Sequence, residues 1–275
     1  MNKKGILICL LVMGTTQAVD RSFVVLTASY NNAQWYEKNL NSIRDQSYSN
    51  WRMIYINDRS TDSTGQLVAD YVANNNLGHK ITIINNESRR GHLANQYEAI
   101  HSCQPWEIIL VVDGDDWVTH NEVFSYLNDV YQDPHIWLTY GQFWYVLKDR
   151  LGICKALPLD ILEHGLIRTY PRWVTSHMRT FYAGLYQAIE KDDLMYKGNW
   201  FPMGADVSTM FPMIEMARER VLFISDIIYQ YNDANTLSFY HDRRDEQIEI
   251  EKEIRSRKPY PRLEGATFCT HEMRA

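Results

Sequence analysis

Residues 108–116 have the sequence IILVVDGDD. The five apolar residues are uninterrupted, which is typical of a strand buried on both faces of a parallel sheet. This strand leads directly into three carboxylates, Asp113, Asp115 and Asp116. Carboxylates this close together repel one another unless a cation lies between them. The segment therefore predicts a buried strand with a site for a hard divalent cation at its carboxyl end.

The same acidic turn has a simpler interpretation. Asp116 or Thr119 would cap a helix that begins near Thr119, because Asp and Thr side chains accept hydrogen bonds from the first N–H groups of a helix. These nine residues alone leave both interpretations open.

Short apolar strands alternate with amphipathic helices on the N-terminal side of this segment. Segments with a helical spacing of apolar residues lie between the strands, and the third of these predicted helices spans 91–103. The order predicts a single α/β domain with an open, mostly parallel sheet flanked by helices. Ligands of such sheets bind beyond the carboxyl ends of the strands. The predicted strands are 23–27, 51–56, 80–84 and 108–112.

The second half of the chain is less regular. Strands are predicted at 140–147, 221–224 and 227–231, and helices at 175–189, 206–218 and 242–257. No internal repeat or linker is visible, so one domain is expected over 21–257. Its nucleotide-binding half would span about 22–130 and its acceptor half about 131–240, followed by a tail at 258–275.

Polar residues follow the predicted strands where a ligand is expected. Asp58 would accept hydrogen bonds from a base or ribose, Tyr30 offers a flat face, and Gly91 permits close backbone approach. Each also has an ordinary interpretation, as a turn carboxylate, a packing aromatic or a turn glycine.

Five ordered segments together resemble family 2 glycosyltransferases with the Rossmann-like GT-A fold. They are VVLTASYN at 24–31, SIRDQSY at 42–48, INDRSTD at 56–62, RGHLAN at 90–95 and DGDD at 113–116. The resemblance covers about residues 22–130. It implies inverting transfer of a sugar from a nucleoside-diphosphate sugar, with Mn²⁺ or Mg²⁺ as cofactor.

The resemblance also implies roles for individual residues. Asp115 and Asp113 would bind the metal. Nucleotide-sugar contacts are implied for Ala28, Tyr30, Asp58, Gly91, Asn95 and Asp113. Ala28 departs from the Pro or Thr common in the family, and Asn57 replaces the first of two usual acids. The replacement at Asn57 would affect which nucleotide base is preferred, and UDP is favoured.

The catalytic base implied by the family lies in the second half, on a helix start after a glycine. Asp206 follows Gly204 and Ala205, although Glu is frequent where Ala205 stands. Asp206 would deprotonate the acceptor hydroxyl; the alternative is that it is only the N-cap of the helix.

Other polar and aromatic residues have less specific patterns. His177 and Arg179, on the predicted 175–189 helix, would contact diphosphate or acceptor, or lie in surface or core. His241 would be a late metal ligand. Trp173, Trp200 and Phe201 would form a sugar platform or pack in the core.

Two other functions fit parts of the sequence. A nucleotide-sugar-binding module without catalysis is suggested by Asn57 and Ala205. A nucleotidyltransferase would carry a glycine-rich, basic loop after the first strand, where this chain has SYNN at 29–32. The absence of a G-x-G-x-x-G motif after any strand argues against a dinucleotide-dependent dehydrogenase.

Charge and termini limit the partners. The net charge of −6, with no long run of one sign, gives no basic face for nucleic acid. The acceptor, whether glycan, lipid or protein, is not identified by the sequence. Cys103, Cys154 and Cys269 form neither a disulfide framework nor a zinc motif, although one bridge among them is open.

The N-terminal residues 1–20 resemble a signal peptide or membrane leader. Lys3 and Lys4 precede the apolar run 6–13, and Thr16 and Ala18 have signal-peptidase spacing. The run is shorter than the roughly 20 residues of a membrane span. A secretory lumen or a membrane location is expected, with a cytoplasmic protein that has a mistaken start or a buried N-terminal segment as the alternative.

Overall fold

The computed structural model describes residues 18–235, 243–265 and 268. The predicted leader, apart from residues 18–20, therefore lies outside the described residues, as do His241 and Cys269. Within the described residues, no helix combines the length and apolar character needed to cross a membrane. Of the described cysteines, Cys103 and Cys154 are buried and not bridged.

Strands and helices alternate along the first half, as predicted, and are less regular in the second. The helices of the described residues are α1 (Tyr36–Arg44), α2 (Thr64–Asn74), α3 (His92–His101), α4 (Val123–Val130), α5 (Leu159–His164), α6 (Ala183–Gln187), α7 (Ala205–Ala217) and α8 (Arg244–Ser256). The strands are β1 (Phe23–Ser29), β2 (Trp51–Asn57), β3 (Ile81–Asn85), β4 (Ile108–Val111), β5 (Trp117–Val118), β6 (Leu138–Tyr145), β7 (Arg150–Leu151), β8 (Arg179–Tyr182), β9 (Met195–Tyr196), β10 (Asn199–Trp200) and β11 (Val221–Tyr231).

The main sheet is mixed, with nine strands in the order β3-β2-β1-β4-β8-β6-β11-β5 and β7 paired to β6. The strands β3, β2, β1 and β4 are parallel. β8 runs antiparallel to both β4 and β6, and β11 is parallel to β6. The predicted single α/β domain flanked by helices is confirmed, while the parallel arrangement is confined to the first half and the β6–β11 pair.

Parallel pairing brings the ends of β1, β2 and β4 to one edge of the sheet. The register aligns Ser29 with Asn57, and β1 also pairs with β4 along Phe23–Leu26. The Thr27 hydroxyl donates to the Val112 carbonyl at 2.8 Å, so the two chains stay together beyond the last ladder pair. The polar turns that follow these strands therefore lie close together.

The predicted helix at 175–189 is wrong. Residues 179–182 form β8 instead, and only the short α6 follows. All residues from 174 to 183 are buried, which a strand between two neighbours requires and an amphipathic surface helix does not show. β8 is held by pairing on both sides, a tertiary constraint that local periodicity does not reveal.

Two further expectations are corrected. The strands predicted at 221–224 and 227–231 are one strand, β11, with register shifts after Ile224 and Ile227. No helix begins near Thr119: the acidic turn leads into β5, and α4 starts at Val123. The capping interpretation of Asp116 and Thr119 is therefore wrong.

The C-terminal helix α8 is fastened to the second half by a buried ion pair. Arg168 donates two hydrogen bonds to the Glu215 carboxylate, at 2.7 and 3.0 Å, and a third to the Ile254 carbonyl. Glu215 also accepts from the Tyr260 backbone N–H at 3.0 Å. Both charged side chains are nearly inaccessible, at 6% and 0% exposure. One ion pair thus joins α7, α8 and the segment after α8.

We expect Glu215→Gln to lower the free energy of unfolding by about 3 to 5 kcal/mol, because it leaves the buried Arg168 charge without its partner. Urea denaturation measures the change. Glu253→Gln, which removes one partner of a half-exposed ion pair with Arg257 on α8, is the matched control and should change stability by less than about 1 kcal/mol. Equal effects of the two substitutions would contradict the importance of the buried pair.

Candidate active site

A cavity of about 410 Å³ lies at the carboxyl edge of the parallel strands. Its wall includes ten residues singled out from the sequence as nucleotide, metal, diphosphate or catalytic contacts, whereas His241 lies outside the described residues: Ala28, Tyr30, Asp58, Gly91, Asn95, Asp113, Asp115, His177, Arg179 and Asp206. These ten residues come from both halves of the chain. The fold therefore brings together the predicted nucleotide side and the predicted acceptor side.

The acidic turn is fixed by its backbone. The Asn39 side-chain amide donates to the carbonyls of Asp113 and Asp116, at 3.0 and 2.7 Å. Gly114 packs against the end of β1, where an added Cβ would come within 2.7 Å of the Ser29 side chain. A larger residue would push the turn away from β1, so glycine is required by close packing.

Asp116 is anchored by the second half of the chain. Its carboxylate accepts from the Tyr229 hydroxyl and from the Asn232 backbone N–H, each at 2.7 Å, and it is only 1% exposed. Asp115 accepts from the Asn235 side-chain amide at 2.7 Å. These donors are uncharged, so they position the carboxylates without neutralising them.

The three carboxylates differ in their affinity for protons. Burial and the Asp113 charge raise the pKa of Asp115 to about 6. Burial and both neighbouring carboxylates raise the pKa of Asp116 well above its ordinary value. Burial also acts to raise the pKa of Asp113, but His92, His177 and Arg179 together lower it below the ordinary value. Asp113 therefore ionises more readily than Asp115 or Asp116.

A possible metal-binding group lies around Asp113. One ligand atom each from Asp113, Asp116 and His177 lies within 4.8 Å of the others. Among the described residues, no hydrogen-bond partner reaches the buried atoms Asp113 Oδ1 and His177 Nδ1. Burial and the Arg179 charge lower the pKa of His177 to about 3, so its imidazole is neutral and able to ligate. Unpaired oxygen and nitrogen ligands of this kind fit a divalent cation.

This group overlaps the predicted metal ligands only in part. Asp113 belongs to both sets, whereas Asp115 lies on the pocket wall outside the 4.8 Å group. Asp116 and His177 were not predicted as ligands from the sequence. Only the folded structure identifies His177 as a candidate metal ligand. His177 follows Asp113 by 64 residues in the sequence, and β8 with the segment before it brings the two together.

His177 and Arg179 do not lie on a helix, as the sequence had suggested. His177 precedes β8 and stacks on Tyr229, with ring centroids 4.9 Å apart and an interplanar angle of 8°. Arg179 begins β8, and its Nη2 lies 4.0 Å from Asp113 Oδ2. Both side chains are buried beside the acidic turn, where a diphosphate would require positive charge.

Asp58 organises the loop after β3. Its carboxylate accepts from the backbone N–H groups of Arg90 and Gly91, both at 2.9 Å, and from the Asn86 amide at 2.8 Å. Burial opposes ionisation of Asp58, but these hydrogen bonds outweigh it and lower its pKa. Asn95 accepts a second hydrogen bond from Asn86 at 2.8 Å. Asp58 thus has a structural role in addition to any base contact.

Tyr30 is paired with a cation. The Arg89 guanidinium lies 3.5 Å from the centre of the Tyr30 ring, and its Nε is 3.9 Å from Asp58 Oδ2. Cation–π contact covers part of the ring that was predicted to stack on a base. Arg89, which the sequence did not single out as a ligand contact, therefore joins Tyr30 and Asp58 on the nucleotide side.

Asp206 lies in the first turn of α7, and its own carboxylate contacts only the adjacent Val207 N–H among the described side-chain hydrogen bonds. The N-cap is Gly204, with φ +71°. The interpretation of Asp206 as N-cap is therefore wrong. Glycine at this position permits a left-handed turn that directs the start of α7 towards the pocket.

Of the aromatic residues predicted to form a sugar platform, two line the pocket and one packs in the core. Trp200 and Phe201 line the pocket, whereas Trp173 packs near Phe211 at a centroid distance of 6.0 Å and lies outside the pocket wall. Gln247 of α8 also lines the pocket and was not found from the sequence. The only signal for Gln247 as a pocket residue would have been its place on the face of α8 that packs towards Gly204.

Residues 24–152 match the family model described as "Glycosyl transferase family 2". Nearly half of the chain is therefore similar to glycosyltransferase family 2. The chain is 28% identical over 93 residues to the putative teichuronic acid biosynthesis glycosyltransferase TuaG of Bacillus subtilis, an alignment covering 34% of this chain and 36% of TuaG. It is 26% identical over 127 residues to the poly-β-1,6-N-acetyl-D-glucosamine synthase of Staphylococcus epidermidis, covering 46% and 29%. The chain thus spans about a third of the length of these relatives.

Solved structures share the GT-A fold. S. aureus TarS 1–349 superposes with a TM-score of 0.60 at 18% identity, covering 77% of this chain and 60% of that one. The mannosyltransferase PcManGT of Pyrobaculum calidifontis superposes with a TM-score of 0.57 at 19% identity, covering 86% and 65%. Because both likenesses extend well beyond residue 152, the second half of the chain also follows the GT-A architecture.

Tyr229→Phe should lower the free energy of unfolding by about 1 to 3 kcal/mol, because it removes the hydroxyl between Asp116 and the Asp113 N–H and leaves a buried carboxylate short of a donor. Urea titration at neutral pH tests this. Tyr126→Phe, whose hydroxyl contacts the surface residue Asp226, is the control and should cost less than about 0.5 kcal/mol. An equally small loss for Tyr229→Phe would show that the turn does not depend on this anchor.

Proposed function

We propose that this protein transfers a sugar from a nucleoside-diphosphate sugar to an acceptor hydroxyl, with inversion and with a divalent metal. The observation that carries the proposal is the convergence of the acidic turn with Arg89, Arg179 and Asp206 on one cavity. Carboxylates that hold a metal, cations that face a diphosphate and a separate carboxylate for the acceptor are the parts that such a transfer needs.

The nucleotide would occupy the side formed by β1, β2 and the loop after β3. Tyr30 and Arg89 offer a planar surface there, and Asp58 with Gly91 shapes the backbone beside it. TarS is described in complex with UDP-GlcNAc, and PcManGT in complex with GDP-Man and Mn²⁺. These complexes support a nucleotide-sugar donor for this chain, with UDP-sugars as the preferred class.

Asp113 would hold the metal together with Asp115, as the family resemblance implies. The group of Asp113, Asp116 and His177, which does not include Asp115, offers a second set of ligands at the same turn. Mn²⁺ or Mg²⁺ bound there would stabilise the negative charge of the departing diphosphate. Asp116 already accepts two short hydrogen bonds, so its main task would be to keep the turn in place. Arg179, buried beside Asp113, would add positive charge on the same side.

The transfer step requires one proton acceptor. Asp206 would take the proton of the acceptor hydroxyl as its oxygen bonds to the anomeric carbon. The bond between that carbon and the diphosphate oxygen breaks, and the nucleoside diphosphate leaves with the bonding electrons. A single displacement of this kind inverts the anomeric configuration.

Asp113→Asn should lower Mn²⁺-dependent donor hydrolysis at least about 100-fold, because it removes the carboxylate of the acidic turn that ionises most readily. Calorimetry should also show loss of the Mn²⁺-dependent part of UDP binding. Removing the metal from the unsubstituted protein with a chelator should have the same effect. Asp133→Asn, at an exposed position remote from the pocket wall, is the control. Full hydrolysis by Asp113→Asn would exclude the proposed metal site.

Asp206→Asn should lower the rate of sugar transfer by about 10² to 10⁴, the usual contribution of a general base, while UDP binding is retained. Transfer is followed with a radiolabelled donor, and the anomeric configuration of the product by NMR. Asp245→Asn changes the corresponding first-turn acid of α8 and should be fully active. Full transfer by Asp206→Asn would remove this residue from the mechanism, and a wild-type protein that binds donor without hydrolysing or transferring it would be a binding module.

A further inference from the structure

The pocket wall opposite the nucleotide side is formed by a tight hairpin. Lys197 and Gly198 both have positive φ, at +51° and +80°, as in a two-residue type I′ turn. The turn pairs Trp200 with Met195 in the β9–β10 ladder. The hairpin thereby places Trp200 on the cavity wall, four residues before Gly204 and the start of α7.

Trp200 packs against another aromatic ring, which in turn stacks on a third. The Tyr97 ring lies 5.0 Å from it, and Tyr97 in turn stacks on His101 at 3.9 Å. The Lys191 ammonium lies 5.4 Å from the indole centre but is not part of the pocket wall. Trp200 itself is half-buried. These contacts restrict the rotation of the indole at the cavity wall.

Gln247 reaches the same wall from α8. Ile250 and Ile254 of this helix are 2% exposed and pack beside Gly204, within 3.6 Å of the position that a Cβ would take there. The contact fixes α8 against the turn that presents Asp206. The Trp200 indole, a neutral amide and a carboxylate therefore line the cavity together.

Charge is distributed unevenly over the cavity. The Arg and His residues that line the cavity are on the nucleotide side (Arg89, Arg90 and His92) or beside the acidic turn (His177 and Arg179). On the wall formed by 200–206 and Gln247, the described lining residues include no Lys, Arg or His, and Asp206 is acidic. A phosphate group on the acceptor would meet a negative charge there without a cation among the described lining residues of that wall to offset it.

We propose that the acceptor is a neutral pyranose, stacked on Trp200 and held through its hydroxyl groups by Gln247 and Asp206. The inference rests on the proposed sugar transfer and narrows its acceptor. One face of a pyranose ring presents mainly C–H groups, which pack on an indole, while its equatorial hydroxyls suit an amide and a carboxylate at the ring edge. A polyol phosphate or a peptide hydroxyl offers no such ring.

The first test compares acceptor classes. UDP-GlcNAc, UDP-glucose and GDP-mannose are first compared as donors by their Mn²⁺-dependent hydrolysis. The donor that is hydrolysed fastest is then used. Methyl and p-nitrophenyl pyranosides are compared with a glycerol phosphate oligomer and a serine-containing peptide. Radiolabelled sugar should be transferred to at least one neutral pyranoside and to neither of the other two.

The second test uses variants and the ratio of sugar transfer to donor hydrolysis. Trp200→Ala should raise the KM for the pyranoside and lower this ratio, each about tenfold, and Trp200→Phe should restore most of the loss because it keeps a ring face. Gln247→Ala should lower the ratio about three- to tenfold. Trp144→Ala is the matched control, because Trp144 lies in the β6–β7 hairpin and does not line the cavity. This variant should leave the ratio at the wild-type value.

Three outcomes would overturn the inference. Transfer to the phosphate oligomer or the peptide but to no pyranoside would identify another acceptor class. Equal losses of transfer and hydrolysis in Trp200→Ala, without rescue by Trp200→Phe, would show a structural role only. Donor hydrolysis with neither transfer to nor calorimetric binding of any pyranoside would exclude the acceptor while leaving the donor chemistry intact. Failure of all donors to bind or hydrolyse would instead reject the proposed function on which the inference rests.

Discussion

Repulsion among three carboxylates at the end of β4 is the physical constraint around which the site is built. The turn that carries them is held by uncharged donors: Asn39 on its backbone, Tyr229 and the Asn232 N–H on Asp116, and Asn235 on Asp115. Hydrogen bonds from neutral groups fix geometry without cancelling charge. The raised pKa values of Asp115 and Asp116 show that the electrostatic cost remains in the folded protein. A cation bound there would relieve this cost, and metal affinity and fold would then be coupled at this turn.

The remainder of the pocket follows from that turn. Buried Arg179 and neutral His177 approach Asp113 from β8 and the segment before it, on the side where a diphosphate would lie. Asp58 is occupied with the backbone of residues 90 and 91, and so determines the shape of the nucleotide side. Positive charge is thereby gathered on one side of the cavity. The opposite wall, which carries Trp200, Gln247 and Asp206, is left neutral or acidic and suits an uncharged, hydroxyl-rich acceptor.

The second half of the chain contributes position as much as chemistry. β8 inserts antiparallel between β4 and β6 and so carries two polar residues to the acidic turn. α8 packs on the glycine turn before α7, and the Arg168–Glu215 ion pair fastens α8 through the Ile254 carbonyl. The ion pair is buried and therefore depends on having both partners. The acceptor wall is thus assembled from segments that are distant in sequence but rigidly joined.

The sequence by itself determined the alternation of strands and helices up to residue 112 and the family 2 resemblance. Together with that resemblance, it identified ten residues that share one cavity, because strand-end polarity is a local property that survives in a parallel sheet. It failed where partners are distant. The helix predicted at 175–189 was wrong because the pairing with β4 and β6 is invisible locally, and the cap interpretation of Asp116 stayed open because its donors lie 113 and 116 residues away. Tertiary structure alone decided that His177 meets Asp113, that Arg89 covers Tyr30 and that Gln247 joins the acceptor wall, because each contact depends on packing between elements and not on spacing along the chain.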